Sequence, residues 1–312
     1  MGTMSELIIV GAGPIGSWVA QAAVDDGIVD RVAAVVDPQP EARARLTAET
    51  GADAYPTTVD LPAARNAERA LVAFSSRADK VAPEIVRLVS SGYHVVTTCE
   101  ELAWAPRHIW DAMHTSARSN GRVIVVTGTN PGFIMDRVPL LVASGSRNVS
   151  RIVVTRRVDS STRRESLVRK TGYGLTPEEF AHELAAGRIG HKGLDASARL
   201  VARGLLWPYH DVSMRIEPIV VDGVVHGADH RAELSTGDGR SIELRLTMAW
   251  KIAEPVDRVQ VVGEPPLDVR FEGGYPGDEG TVANVLRGLQ RCSELDPGFY
   301  RPTDIPLRFG VR

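Results

Sequence analysis

Short apolar runs alternate with helical stretches along the first 130 residues. Leu7-Ile8-Ile9-Val10, Val32-Ala33-Ala34-Val35-Val36, Ala70-Leu71-Val72-Ala73-Phe74, His94-Val95-Val96-Thr97-Thr98 and Arg122-Val123-Ile124-Val125-Val126 each read as a strand of a covered sheet. Helices are predicted between them over about 14–23, 79–90 and 106–119. Strands alternating with helices of this length imply a parallel sheet with right-handed crossovers. Beyond Asn130 the pattern shifts to longer polar–apolar alternation. Strands are expected near 152–155, 213–221, 224–234, 242–251 and 258–262, with Asp222-Gly223 and Gly237-Asp238-Gly239 as hairpin turns. Helices are expected over about 133–143, 177–186, 196–206 and 280–292, the second opened by Thr176-Pro177-Glu178-Glu179. The fold class is α/β. A Rossmann-type parallel-sheet domain occupies 1–131, and a second α+β domain with an antiparallel sheet occupies 132–278. A C-terminal helix and tail, 279–312, pack back on the first domain.

Composition changes this picture little. The chain has 312 residues, 43% hydrophobic and 24% charged, as a globular protein should. A net charge of -3 gives no reason to expect nucleic acid or an anionic membrane as partner. No apolar run reaches the ~18–20 residues of a membrane span, and no signal-peptide pattern opens the chain. Cys99 and Cys292 form neither a disulfide framework nor a zinc spacing, so no metal site and a reducing, cytoplasmic setting are expected.

The chemistry begins at the first strand, which runs into Gly11-Ala12-Gly13-Pro14-Ile15-Gly16. In the Gly-x-Gly-x-x-Gly pattern Gly11 makes the tight turn, Gly13 admits a pyrophosphate to the backbone, and Gly16 lets helix and strand pack closely. Pro14 and Ile15 open the helix whose free N–H groups face the phosphates. Asp37 ends the second strand about twenty residues past Gly16, the offset of the acid that bonds the adenosine ribose. A plain helix N-cap is the competing reading of Asp37. Its charge favours NAD over NADP, although Arg43 and Arg45 on the next helix leave NADP open. Ser75, Ser76, Thr98 and Asn130 fall at carboxyl ends of strands, the edge that faces a cofactor.

Thr98-Cys99-Glu100-Glu101-Leu102 then ends a strand of that edge with two carboxylates. Alone, such a pair is a solvated helix entrance. Taken with Gly11–Gly16, Asn130-Pro131-Gly132-Phe133 and Gly190-His191-Lys192-Gly193-Leu194, it resembles the 2,4-diaminopentanoate dehydrogenase family and the related native amine dehydrogenases. Asp159-Ser160-Ser161-Thr162-Arg163-Arg164, Arg169-Lys170-Thr171-Gly172 and Gly280-Thr281-Val282-Ala283-Asn284 extend the resemblance over nearly the whole chain. The N-terminal fold of that family is similar to dihydrodipicolinate reductase.

The resemblance implies an NAD(P)-dependent amine dehydrogenase: reversible oxidative deamination of an amine, or reductive amination of a ketone or aldehyde with ammonia. It implies a catalytic glutamate at Glu100 or Glu101. A carboxylate suits that chemistry, because a base must deprotonate the ammonium and an anion stabilises the developing iminium. Successive residues on a strand point opposite ways, so only one of Glu100 and Glu101 is expected to face the nicotinamide, and the sequence does not say which. Phe133, Tyr173 and His191 are assigned to the substrate. Tyr173 and Lys192 depart from the small and apolar residues expected of a diamino-acid enzyme, which points to a smaller or more apolar amine. His191 also reads as a loop histidine, Asn130 as a turn residue, Arg163-Arg164 as a solvated pair and Cys99 as packing. The competing functions are a dihydrodipicolinate reductase-like or other NAD(P)-dependent oxidoreductase, and a non-catalytic dinucleotide sensor. The first lacks its His-His-x-x-Lys helix here, and a sugar or alcohol dehydrogenase would carry Glu-Lys-Pro where this chain has Glu-Glu. The second sheet offers a surface for a homodimer.

Overall fold

The computed structural model describes residues 5–64, 69–163 and 165–306, without the Ser166 side chain. Arg164 of the Arg163-Arg164 pair lies outside the described residues. In chain order the elements are β1 (Glu6–Val10), α1 (Pro14–Asp25), β2 (Arg31–Val36), α2 (Pro40–Thr50), β3 (Asp53–Tyr55), β4 (Arg69–Val72), α3 (Ala78–Ser90), β5 (His94–Thr97), α4 (Arg107–Ser119) and β6 (Val123–Val126). There follow α5 (Val138–Ala143), β7 (Arg147–Asp159), α6 (Glu165–Lys170), α7 (Pro177–Ala185), α8 (Leu194–Gly204), β8 (Val212–Val221), β9 (Val224–Ser235), β10 (Ser241–Ala249), β11 (Val256–Glu264) and β12 (Leu267–Glu272). The chain closes with α9 (Gly277–Arg291) and β13 (Gly298–Tyr300). Two compact units result: Met1–Thr129 with Gly277–Arg312, and Asn130–Pro276.

The first unit is built on a seven-stranded parallel sheet ordered β13-β6-β5-β4-β1-β2-β3. Its strands are apolar on both faces because helices cover both. Leu7, Ile9, Val35, Leu71 and Val96 join Val19 and Ala20 of α1 and Val285 and Leu289 of α9 in one buried cluster. Each of the Val, Leu and Ile side chains contributes about 1.5–3 kcal/mol when fully buried. Two strands of this sheet escape the sequence pattern. β3 is Asp-Ala-Tyr with no apolar run, and β13 follows Pro297 with three residues only. The strand order reverses direction between β1 and β4, which makes that crevice the ligand-binding switch point of the sheet.

The second unit holds a six-stranded sheet ordered β12-β11-β7-β10-β9-β8. This sheet is mixed rather than antiparallel, which corrects the expectation from sequence. The β8–β9–β10 meander has three strands, so β10 ends up running parallel to β7 while β11 runs antiparallel to it. The turn between β8 and β9 is as the sequence demanded: Asp222 and Gly223 have φ of 49° and 80°, as a type I′ hairpin requires. One face of the sheet packs Val154, Leu244, Leu246 and Ala232 against Ala198 and Val201 of α8 and Ile134. On the other face the nearly buried Glu243 takes ion pairs from Arg151, Arg231 and Arg245.

The helix expected over 133–143 is divided. Gly132–Arg137 is a π-helical stretch, and a regular α-helix begins only at Val138. Pro139 explains the change of ladder, since it has no N–H for the carbonyl four residues back. The stretch buries Asp136 completely. Burial, only partly countered by Ser197, raises the Asp136 carboxyl from 3.8 to about 7. An acid whose folded pKa lies above its unfolded value binds protons more tightly when folded. Stability should therefore fall as pH rises from about 4 to about 7, by up to ~1.4 kcal/mol per pH unit, and then level off. Asp136→Asn should remove this fall, as read from urea midpoints at pH 4.5, 6 and 8. An unchanged pH dependence would contradict the assignment.

Candidate active site

In the first unit β1 passes into Gly11 at φ +110°, whose N–H donates to the Val36 carbonyl at 2.8 Å. A Cβ on Gly11 would press on the backbone of Ala73 and Phe74, and one on Gly16 would strike the Gly11 carbonyl. Both glycines are thus required by close approach of β1, α1 and β4. Gly13 differs. Nothing lies within 4 Å of the position its Cβ would take, so packing does not demand glycine there. It leaves open space over the first turn of α1, which carries no side-chain cap and no acidic residue. Helix N–H groups left without side-chain partners are suited to an anion. Pro14 occupies the first helical position and is exposed, whereas the Ile15 side chain is buried in the core, so Ile15 can offer a ligand only its backbone.

Asp37 closes this loop. Its Oδ2 accepts from Ala12 N–H and its Oδ1 from Gln39 N–H, both at 2.9 Å. Arg45 donates to the Ala12 carbonyl at 2.9 Å, and Arg43 donates to the Asp37 carbonyl. At the end of β4, the Ser75 hydroxyl accepts from Arg77 N–H at 3.1 Å and Ser76 is exposed. Thr98, half-buried after β5, donates its N–H to the Val72 carbonyl at 3.2 Å. Gly11, Gly13, Asp37, Ser75, Ser76 and Thr98 therefore share one edge of one sheet.

The two glutamates lie on that edge but not on the strand. β5 stops at Thr97, and Glu100–Trp104 is a 3-10 turn, so strand alternation does not govern them. The turn nevertheless sends them apart. Glu100 lies toward β6, its carboxyl group where a Cβ of Gly128 would be. Glu101 reaches the β4 side, where its Oε2 accepts the N–H of Ala78, the first residue of α3, at 2.6 Å. That places Glu101, not Glu100, on the switch-point side of β5. The helix N-terminus holds the carboxylate in one orientation. Cys99 beside them is fully buried, and burial followed by the charges of Glu101 and Glu100 pushes its thiol up to about 12. It is packing, not a nucleophile.

The second unit distributes its predicted residues over separate ring clusters. Asn130 opens the unit with a buried Oδ1 that has no hydrogen-bond partner. Phe133 meets Tyr275 at 5.0 Å between ring centroids. Tyr173 stacks on Trp250 at 4.4 Å and meets His226 edge-on at 5.7 Å. The His191 N–H donates to His230 Nε2 at 2.9 Å, while His230 Nδ1 lies 3.1 Å from the Leu246 carbonyl and donates to it. Burial, with His230, Lys170 and Arg156 nearby, lowers the His191 imidazole to about 3, so it is neutral and offers no positive charge to a carboxylate.

Sequence reading missed Arg156, His230 and Asp257. They stand in register across the inner face of the sheet, Asp257 opposite Arg156 and Leu246 between Arg156 and His230. A parity signal was available. In Ile152–Val158 the inward positions are Ile, Val, Arg, Val, and a charged residue at inward parity is a buried one. Arg156 and Asp257, 2% and 0% exposed, pair at 2.7 Å, and the same Asp257 oxygen accepts Tyr275 N–H at 2.7 Å. Among the described residues no group of three or more His, Cys, Asp or Glu could hold a metal, and no helix is long and apolar enough to cross a membrane.

Residues 133–311 match the family described as 2,4-diaminopentanoate dehydrogenase C-terminal domain. The chain belongs to the 2,4-diaminopentanoate dehydrogenase family. It is 26% identical to the 2,4-diaminopentanoate dehydrogenase of Acetoanaerobium sticklandii over 80% of this chain and 76% of that one. The fold is that of an amine dehydrogenase from Mycobacterium smegmatis, with a TM-score of 0.83, 16% identity, and coverage of 99% and 98% of the two chains. It is also similar to GenD2 from gentamicin A biosynthesis, solved in complex with NAD, with a TM-score of 0.64, 16% identity, and coverage of 97% and 90%. Membership makes the chain an oxidoreductase of the dehydrogenase type.

The Ala78–Glu101 bond predicts a separation of charge from hydrogen bonding. Glu101→Ala should cost about 1 kcal/mol by leaving a helix N–H without its acceptor. Glu101→Gln, which keeps a carbonyl oxygen at the same reach, should lose less than half of that in a urea titration. Equal losses would mean that the hydrogen bond does not anchor the side chain.

Proposed function

We propose that this protein is an NAD(P)-dependent amine dehydrogenase. It oxidatively deaminates a small amine and, in reverse, reductively aminates a ketone or aldehyde with ammonia. The observation that carries this reading is Glu101, a carboxylate anchored at the carboxyl edge of a dinucleotide-type sheet on the switch-point side. The names of the relatives agree with it, since 2,4-diaminopentanoate dehydrogenase and amine dehydrogenase both describe oxidation at a carbon bearing nitrogen.

The residues fit a nicotinamide dinucleotide. The open space over Gly13 and the uncapped first turn of α1 suit a pyrophosphate, and Asp37 suits an adenosine ribose. NAD is favoured over NADP, because a 2′-phosphate would meet the Asp37 charge while Arg43 and Arg45 are bonded to loop carbonyls. When bound, the cofactor supplies the hydride acceptor for deamination and the hydride donor for amination.

The chain's own groups manage protons and charge. Glu101 takes a proton from the substrate ammonium, freeing the nitrogen lone pair. Once that proton has passed on to solvent, the regenerated carboxylate on the switch-point side stabilises the iminium as positive charge develops on the substrate. The same carboxyl group serves the water addition and the release of ammonia, both of which need a proton moved. The Ala78 N–H fixes Oε2 and so orients the second oxygen for this work. Ser75, Ser76 and Thr98 line the edge with small side chains.

Glu101→Gln should lower kcat for amine-dependent cofactor reduction by about 10²–10⁴, the usual worth of a general base. Glu100→Gln should stay within about tenfold of wild type. Rates of Glu101→Gln close to wild type, in a folded protein, would overturn the assignment.

A further inference from the structure

The 3-10 turn that carries Glu101 ends on a carbonyl that its own backbone cannot satisfy. In such a turn each carbonyl accepts from the N–H three residues on. For the carbonyl of Ala103 that residue is Pro106, which has no N–H to give. Ala103 is buried, 2% exposed, and a buried carbonyl without a partner is costly. The donor comes from the far end of the chain: Arg301 Nε donates to the Ala103 carbonyl at 2.9 Å.

Arg301 is itself held from several directions. It directly follows β13, whose Tyr300 lies in register with Val125 of β6. Its guanidinium stands over the Trp110 ring of α4, 5.3 Å from the centroid. That ring is stacked on His114 at 4.6 Å and meets Phe299 edge-on at 6.2 Å. The Phe299 N–H in turn donates to His114 Nδ1 at 3.3 Å. Asp304 Oδ2 accepts the Arg301 N–H at 3.1 Å, and the Arg301 side chain is only 15% exposed. A side chain so enclosed has little freedom to leave its acceptor.

The turn is thus gripped twice. Glu101 Oε2 accepts from the Ala78 N–H, and two residues later the Ala103 carbonyl accepts from Arg301. Cys99 provides no side-chain cap that could hold the turn instead. We propose that Arg301 is a positioning residue: by holding the Ala103 carbonyl it fixes the turn in the place from which Glu101 reaches Ala78. Its part in the reaction rests on the reading of Glu101 as the general base, whereas its grip on the turn does not.

Two substitutions isolate the donor. Arg301→Gln keeps an N–H the same number of bonds from the backbone as Nε, whereas Arg301→Met puts a methyl group there. Both remove the guanidinium from Trp110 and Asp304, so only the bond to Ala103 separates them. Amide hydrogen exchange of the full chain, followed by NMR, reads the turn without turnover. Ala78 should exchange faster by about tenfold in Arg301→Met and stay within about threefold of wild type in Arg301→Gln, with the Val96 amide of β5 unchanged in both. With Glu101→Ala already in place, Arg301→Met should speed Ala78 no further. In turnover, Arg301→Met should lower kcat by about 10–100-fold, as a misplacement of about 1 Å does, while NADH affinity by fluorescence titration stays within about twofold. An Ala78 rate untouched by Arg301→Met, equal effects of the two variants, or acceleration of Val96 as large as that of Ala78 would overturn the positioning. Were the exchange pattern present but kcat of Glu101→Gln that of wild type, the general-base reading would fall, and the part of Arg301 in the reaction with it.

Discussion

The hydrogen bond from Ala78 N–H to Glu101 is the constraint on which the reading of this molecule depends. It exists because β4 and β5 run parallel with Val72 opposite Thr97, so that the segments leaving both strands emerge side by side. One segment becomes the first turn of α3, with N–H groups to satisfy, and the other becomes a 3-10 turn bearing two carboxylates. The helix end thereby selects Glu101 from the pair and holds it on the β4 side, next to the reversal of strand order. Glu100, one residue earlier, is turned to Gly128 and the opposite neighbour, β6.

A different constraint organises the second unit. Arg156 and Asp257 are buried on the inner face of its sheet, where an ion pair recovers its desolvation cost only with good geometry and further hydrogen bonds. Those bonds are present. The pair reaches both backbone groups of Tyr275, through Asp257 to its N–H and Arg156 to its carbonyl at 3.1 Å. The pair thus fixes a chain segment as well as two side chains, and Tyr275 is held with its ring against Phe133.

Much of this was legible in the sequence, for physical reasons that differ by element. The strands of the first unit announced themselves because both of their faces are covered, and the Gly11–Gly16 loop because two of its glycines are sterically obligatory. Thr176 and Glu179 form the capping box that their spacing promised. β3 and β13 were hidden because three residues carry no periodicity. The mixed pairing of the second sheet was hidden because hydrophobic alternation reports a strand's faces and not its direction. The glutamate pair was legible as chemistry but not as geometry, since nothing in Cys99-Glu100-Glu101 says that the strand has already ended at Thr97. Arg156 and Asp257 were overlooked because charged residues are usually solvated, and only inward parity marks them as buried.

The central claim is that the anchored carboxylate serves chemistry at nitrogen. Oxidation of the reduced nicotinamide cofactor in the presence of a small ketone, with ammonia varied, tests it most directly. The account predicts turnover that requires both ketone and ammonia and saturates in each. Cofactor oxidation by the carbonyl compound at a rate independent of ammonia would contradict it.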